Sequence, residues 1–398
     1  MQKHTLLSLA IIGTLLLSLT ANATIRRVGF TGAVSPVNGI DYATLQAAHD
    51  AAVVGDTIQL YPSTQSSGAT YSGNITKRLY IVGPGFFVNS YNLPYQAIIN
   101  NALQALPGAI ASTNVTVGRG SAGTIFAGIS SLNVTTADIL DSLNDIAIYR
   151  CRDVNVNFNN SGVCNNWIIS QCYMAQVNQG GYAVGFSGNR SISNLRIENS
   201  VGVDINYSAS TAQTPVGVNS GQILNCVWNV GAQGVTDSRR SLSFNNSVFI
   251  IQNCIDLGGV FQTASWLFGA SNCVFVNNIT SASGGASPVA SNPGSSGNTF
   301  NANTSSNVYF VGIPNNNSAG QTIYSPDAAY QLVANSPARN FGVIPGTNTP
   351  TDCGIYGGTN PYKSSGIPNI PAFYRLNAAS TTATGSTYTI TYSVRSNN

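Results

Sequence analysis

Arg196 and Glu198 carry opposite charges two positions apart, in a segment that alternates between apolar and polar residues. In an extended strand such positions share a face, so the two side chains project side by side. Two interpretations stay open: an ion pair on a solvated strand surface, or a sugar-binding or acid–base site. Tyr149, in a matching segment further towards the N-terminus, would add an aromatic platform for a sugar. We therefore take Tyr149, Arg196 and Glu198 as ligand-contact candidates and assign no catalytic residue.

Other groups that could do acid–base chemistry are scarce. Charged residues make up 7% of the 398 residues, against roughly 25% in an ordinary soluble domain, and Glu198 is the single glutamate. His49 falls in a predicted helix, so a Ser-His-Asp triad is not supported. Asp138, Asp141 and Asp145 are close in sequence; we interpret them as a solvated loop, with a catalytic carboxylate pair as the alternative.

Composition and motifs predict no cofactor, metal or nucleic-acid partner. The formal charge of +3 arises from 16 basic and 13 acidic residues that are dispersed along the chain, whereas nucleic-acid binding needs a concentrated basic face. The sequence has no Cys-x-x-Cys pair and no convergent acidic set. Gly118–Gly123 matches a dinucleotide-binding pattern, but an alternating strand follows it where that motif requires a helix.

The elements that position the candidate residues form a ladder of similar segments. Each segment alternates with a period of two, which is typical of a half-buried strand, and ends in Cys or Ser. The final residues lie 21, 28, 26, 21 and 26 positions apart, too close for strand–helix–strand units, so we predict a solenoid of stacked coils. The six segments are Ile146–Cys151, Trp167–Cys172, Leu195–Ser200, Gly221–Cys226, Leu242–Ser247 and Phe268–Cys273. Their predicted inward residues are Ile148, Ile169, Ile197, Ile223, Phe244 and Ala270.

A corner closes each predicted segment. Asn tolerates left-handed backbone and can hydrogen-bond to its own turn, and stacked Asn side chains can bond to one another along the axis. The small residue that follows would fill the inside of the corner. The predicted structural ladder comprises Asn199, Asn225, Asn246 and Asn272, with Cys151, Cys172, Cys226 and Cys273 beside it.

The remaining regions complete a predicted secreted protein. Residues 1–23 combine a basic start, an apolar run and an Ala-x-Ala end, which is typical of a signal peptide; no membrane span is predicted after its cleavage. Residues 24–62 are assigned to an N-terminal cap, with a short amphipathic helix, and the first turn. Residues 63–345 are assigned to the solenoid, and residues 346–398 to a closing segment and tail.

Three stretches resemble the right-handed parallel β-helix proteins of the pectin-lyase-like superfamily, of the secreted bacterial type. Ala43–Leu60 resembles their cap helix and first strand, and the Asn-Cys and Asn-Ser segments resemble their coils. Tyr330–Gly342, followed by Asp352–Gly358, is similar to their closing motif. The resemblance implies an all-β, right-handed parallel β-helix with a short N-terminal capping helix. It implies no single activity, because the superfamily includes polysaccharide lyases, glycoside hydrolases and adhesins.

The sequence departs from the catalytic patterns that the resemblance implies. Lyases of this fold use a Lys or Arg base, often with Ca²⁺ held by acidic groups, yet only Lys77 and Lys363 remain after the predicted cleavage. We therefore expect a secreted or cell-surface β-helix that is not catalytic and that contacts polysaccharide, cell-surface glycan or matrix through an exposed strand face. The alternative is a polysaccharide lyase or glycoside hydrolase with an atypical site. An ice- or mineral-binding face would require a Thr column, which the predicted outward row lacks.

Overall fold

A computed structural model gives the fold. It describes residues 23–29, 41–61, 71–85, 113–137, 142–158, 162–173, 184–186, 190–207, 220–228, 242–243, 248–257, 267–268, 272–281, 292–300, 302–303, 306–311, 327–364, 372–378 and 390–395. All but the last residue of the predicted signal peptide lies outside these ranges.

Short strands dominate the described chain. The first half contains β1 (Ile25–Val28), β2 (Asp41–Tyr42), β3 (Thr57–Leu60), β4 (Tyr71–Ile75), β5 (Tyr80–Val82), β6 (Thr113–Val117), β7 (Ile125–Ala127), β8 (Leu132–Thr136), β9 (Leu143–Asn144), β10 (Ala147–Tyr149), β11 (Asn155–Phe158), β12 (Gly162–Asn165), β13 (Ile168–Ser170), β14 (Val184–Phe186), β15 (Arg190–Ser193) and β16 (Leu195–Glu198). The second half contains β17 (Ile205–Tyr207), β18 (Ser220–Leu224), β19 (Val227–Trp228), β20 (Leu242–Ser243), β21 (Val248–Gln252), β22 (Ile255–Asp256), β23 (Leu267–Phe268), β24 (Val274–Val276), β25 (Ile279–Thr280), β26 (Gly342–Val343), β27 (Pro350–Thr351), β28 (Ala372–Ala378) and β29 (Ile390–Arg395). Within the described ranges the helices are α1 (Leu45–Ala51), α2 (Ser306–Tyr309) and a 3-10 turn at Ala328–Tyr330.

Strands from successive coils stack in parallel to form the body of the protein. The larger sheet has the order β2-β1-β3-β5-β7-β10-β13-β16-β18-β21-β24, and the second has the order β23-β20-β17-β14-β11-β8-β6-β4. Two short sheets, β15-β12-β9 and β19-β22-β25, lie between them in the path of the chain. Each coil therefore visits the sheets in turn and pairs with the next coil, so the predicted all-β parallel β-helix with an N-terminal cap helix is confirmed.

The interior column of the eleven-stranded sheet is apolar, as the alternation predicted. Ile148, Ile169, Ile197 and Ile223 occupy equivalent positions on adjacent strands and are fully buried. Beyond them the predicted order is wrong, because Ile251 and Phe275 continue the column. The segments assigned to the next two coils instead begin in β20 (Leu242–Ser243) and β23 (Leu267–Phe268) of the eight-stranded sheet. Phe244 and Ala270 lie outside the described residues.

A column of left-handed residues forms the corner after this sheet. The φ angles lie between 47° and 65°, and the seven successive residues are Gly128, Arg150, Gln171, Asn199, Asn225, Asn253 and Asn277. Asn199 and Asn225 are therefore adjacent, as expected. Placing Asn272 in this column is wrong: it precedes β24, and the register assigns the corner to Asn277. Asn246 lies outside the described residues.

In several coils the residue after the corner has a second role besides being small. Its side-chain heteroatom accepts a backbone N–H from the preceding coil, as Cys254 Sγ does from Cys226 (3.3 Å) and Ser200 Oγ from Cys172 (3.1 Å). Cys151, Cys172 and Cys226 occupy this column, which continues through Cys254. The prediction for Cys273 is wrong, because it lies before β24. All seven cysteine side chains are buried, and burial raises the pKa of Cys172 to about 12.

The N-terminal helix caps the first coils. Thr44 accepts the Ala47 N–H at its start, and Leu45 and Ala48 are buried in the core. Lys77 closes its other end, where the ammonium donates to the carbonyl groups of His49, Asp50 and Ala52 at 2.9–3.0 Å. This lysine is therefore engaged in the cap and is not available as a base in a cleft.

Replacing Asp56 with Asn is expected to destabilise the cap. The buried Asp56 carboxylate accepts the Thr24 and Val53 amides and pairs with Arg26 at 3.1 Å. Burial alone would raise its pKa, but these hydrogen bonds and the cation outweigh it and lower the pKa. The charged form therefore contributes stability above the ordinary pKa of 3.8, and this contribution is lost as pH falls through the lowered value. We expect Asp56→Asn to lower the free energy of unfolding by about 1–3 kcal/mol, measured by urea denaturation at pH 7. The difference between the variant and wild type should shrink at pH 3. An equal difference at both pH values would contradict this.

The C-terminal part of the chain folds back along the outside of the β-helix. A second apolar cluster joins coil residues Tyr173, Val201, Val227, Ile255 and Ile279 to residues from the later segments, among them Phe310, Tyr330, Cys353, Ile355 and Tyr362. Residues on both sides of the predicted boundary at residue 345 belong to this cluster. Within this part of the chain, residues 342–362 run along the corner column and are called the strap below.

Candidate functional site

The structure brings Arg196 and Glu198 together on the outer face of the eleven-stranded sheet. Arg196 binds the Glu198 carboxylate through Nε and Nη2, with 43% of its own side chain exposed and 9% of the Glu198 side chain exposed. Glu198 Oε1 also accepts hydrogen bonds from Ser170 Oγ (3.1 Å) and Asn360 Nδ2 (3.0 Å). Protein groups thus occupy both carboxylate oxygens.

The strap explains why Glu198 is covered. Asn360 lies in the strap and also donates to Ser170, and Gln171 donates to the Asn360 and Pro361 carbonyls at 3.2 and 2.8 Å. Further along, Asn199 Nδ2 donates to the Ile355 and Gly357 carbonyls, both at 2.8 Å. The corner amides therefore donate hydrogen bonds to the strap, whereas the sequence analysis expected them to bond to one another.

Tyr149 lies two strands from Glu198 in the same outward row. The register aligns Tyr149 with Ser170 and Ser170 with Glu198. Burial raises the Tyr149 pKa, and the negative charge of Glu198 adds to this, while Arg196 opposes it. Tyr149 is therefore a neutral, half-buried phenol, and of the charged pair Arg196 is the more exposed member.

A cleft of about 510 Å³ lies on the other broad face, against the eight-stranded sheet. Strands β4, β6 and β8 form its floor and Gln46 of α1 lies at its edge, where Gln46 Oε1 accepts the Asn74 N–H at 2.7 Å. Its volume is within the range of small-molecule sites. None of the residues that line it is charged: Gln46, Ser72, Gly73, Asn74, Asn114, Val115, Thr116, Asn133 and Thr135.

Polar side chains in the cleft form two rows that cross the strands, and both rows continue onto β11 beyond the cleft. The register aligns one row as Ser72, Asn114, Asn133 and Asn155, and the other as Asn74, Thr116, Thr135 and Asn157. Asn133 Nδ2 donates to Asn114 Oδ1 at 2.7 Å, so an amide-to-amide bond along the axis does occur here. Between the rows, Val115 and Val134 point inward and are buried.

These rows were missed by the sequence interpretation, although a signal was present. Asn114-Val-Thr and Asn133-Val-Thr repeat the same polar–apolar–polar pattern, and Asn155-Val-Asn follows it. The pattern predicts a strand, but only the register shows that equivalent residues stack. The Thr column amounts to Thr116 and Thr135, flanked by Asn74 and Asn157.

Comparison with known proteins adds a likeness in structure. No protein-family model matches the chain, and no curated protein matches it. A crystal structure of pectate lyase Pel9A is similar, with a TM-score of 0.33 and 15% sequence identity, over 85% of this chain and 97% of that one. That likeness is distant. No residue role passes from that enzyme to this chain, and the strand pairing described above carries the fold assignment.

Two further findings concern metal binding and membrane spans. Within the described ranges, no group of three or more His, Cys, Asp or Glu side chains could hold a metal ion. No helix of that same part of the chain has the length and apolarity needed to cross a membrane.

Proposed function

We propose that this protein is a secreted or cell-surface β-helix scaffold that contacts glycan through an exposed strand face without cleaving it. The observation that carries the proposal is the uncharged cleft on the eight-stranded sheet, where amide and hydroxyl side chains recur from coil to coil. These groups both donate and accept hydrogen bonds, as sugar hydroxyls do. Arg196 and Tyr149 are candidate secondary contacts on the opposite sheet.

The surroundings of Glu198 support a role without catalysis. A general acid or nucleophile must reach the scissile bond, and a glycoside hydrolase needs two carboxyl groups that flank it. Glu198 is covered by Asn360 of the strap and is paired with Arg196. Its arrangement suits an anchor for the strap.

Polysaccharide retention without turnover is the expected result. The purified protein would be run through native gels that contain neutral or acidic polysaccharides, and the same mixtures would be assayed for unsaturated products and new reducing ends. We expect slowed migration with at least one polysaccharide and no product. Glu198→Gln and Arg196→Ala should leave the retention within about twofold of wild type, because the cleft that carries the proposal lies on the other sheet.

Product release that disappears in Glu198→Gln would overturn the proposal in favour of a lyase or hydrolase. Absence of retention on every polysaccharide would overturn the glycan-contact role itself. Melting curves of both variants provide the control for folding, so that lost activity is not confused with lost structure.

A further inference from the structure

We infer that the cleft takes a neutral, extended, β-1,4-linked polysaccharide that lies parallel to the axis of the β-helix, with about one sugar per coil. This inference rests on the proposed glycan-contact function and specifies its ligand. It depends on three properties of the cleft: the absence of charge from its lining, the spacing of its two rows, and its fixed floor.

The lining selects a neutral ligand. Acidic sugars carry carboxylates, whose strongest partners are Arg and Lys side chains. The cleft offers Ser, Asn, Thr and Gln side chains. A buried carboxylate without a cation would lose hydration without compensation, whereas a hydroxyl exchanges water for an amide or hydroxyl partner at little cost.

The spacing of the rows favours a chain that crosses the strands. Equivalent side chains on neighbouring strands repeat about every 4.8 Å, and the two rows lie about 6.6 Å apart along each strand. An extended β-1,4-linked chain advances by close to one strand spacing per sugar. Successive sugars would therefore meet the same pair of groups, such as Asn114 with Thr116 and then Asn133 with Thr135. A chain lying along a strand would lose this match after one sugar.

The number of coils limits the length that is recognised. The rows run from β4 through β6 and β8 to β11, which is about 14 Å for three strand spacings. We therefore expect the affinity to rise with chain length to about four sugars and then to level off.

The floor of the cleft is ordered before any ligand binds. The Asn133–Asn114 bond fixes two of the amides, and the inward Val115 and Val134 hold β6 and β8 in the core. Fewer side chains must then be immobilised on binding, which favours recognition by hydrogen bonds alone.

The test is calorimetric titration of the full chain with β-1,4-linked gluco-, manno- and xylo-oligosaccharides of two to six sugars. The key variant is Thr116→Val with Thr135→Val, which removes two hydroxyls and keeps the β-branched shape that suits a strand. We expect at least one series to bind, with little dependence on salt, and about a 10-fold loss of affinity in the double variant, since each lost hydrogen bond is worth several-fold. Thr57→Val, on the outer row of the eleven-stranded sheet, is the matched control and should bind as wild type.

Each contrary outcome identifies what fails. Binding of a neutral glycan that is unchanged in the double variant would overturn this site and leave the proposed function intact. In the native gels, a preference for acidic polysaccharides that depends strongly on salt would overturn the ligand class. No binding to any polysaccharide would overturn the proposed function as well. Melting temperatures of all variants guard against misfolding as an explanation.

Discussion

A chain that stops after Phe341 is expected to lose most of its stability, because this truncation removes the strap. Cys353, Ile355 and Tyr362 are buried against the coils, and burying such a side chain is worth about 1.5–3 kcal/mol. The corner amides would also lose their carbonyl partners. The sum, on the order of 5–10 kcal/mol, approaches the whole stability of a typical domain of about 5–15 kcal/mol. We expect insoluble protein, or a melting temperature lower by at least about 10 °C.

The matched control is a chain that stops after Ser364. It lacks the β28–β29 hairpin, whose strands pair with each other in a separate sheet, but keeps the strap. We expect this control to melt within about 3 °C of the full chain. If the two truncations melt together, whether near wild type or far below it, the strap does not carry the stability assigned to it.

Replacement of Asn225 with Ala is expected to cost about 3–4 kcal/mol. Asn225 has a φ of 53° and is buried, and its Nδ2 donates to the Asp352 carbonyl at 3.0 Å and the Gly354 carbonyl at 3.4 Å. Alanine in a left-handed backbone conformation costs about 1–2 kcal/mol of stability. The substitution also leaves both carbonyls without this donor, which costs about 1 kcal/mol for each. Chemical denaturation at neutral pH measures the difference.

Asn225→Gly separates the two contributions. Glycine adopts the left-handed conformation freely, so only the lost hydrogen bonds and some chain entropy remain, and we expect a smaller cost of about 2–3 kcal/mol. Asn348→Ala is the control: Asn348 is exposed, and its φ is not among the positive values. An Ala variant as stable as the Gly variant would show that the left-handed corner imposes no constraint.

The general architecture could be predicted because its causes are local. Alternation of apolar residues, as in Ile146–Cys151, produces a strand, and an Asn before a small residue produces a corner whichever coil it belongs to. The order of coils could be predicted only as far as Cys226. After that point, Leu242–Ser247 shows the same local pattern, and nothing in its composition tells that its first strand belongs to the eight-stranded sheet. Pairing is a non-local property, so the spacing alone could not distinguish the two sheets.

The groups that surround the candidate residues could not be predicted from the sequence, for a different reason. The strand pattern correctly placed Arg196 beside Glu198. The groups that cover Glu198 and bind the corner are Asn360 and backbone carbonyls more than 100 positions further along the chain. Carbonyl groups belong to every residue, so they leave no signature in the sequence. The polar rows of the cleft had a signature, but their alignment depends on the same non-local register.

The return of the strap changes how such a protein should come apart. In a repeat array where each unit touches only its neighbours, the ends can fray and units can open one at a time. Here one segment bridges the coils of Gln171, Asn199, Asn225 and Asn253, so opening any one of them loosens the attachment of the others. Those four coils should behave as a single cooperative block, whereas the coils that precede them depend on neighbour stacking and the cap helix. Because the block is completed by contacts up to 190 positions apart, it should also be the last part of the molecule to form.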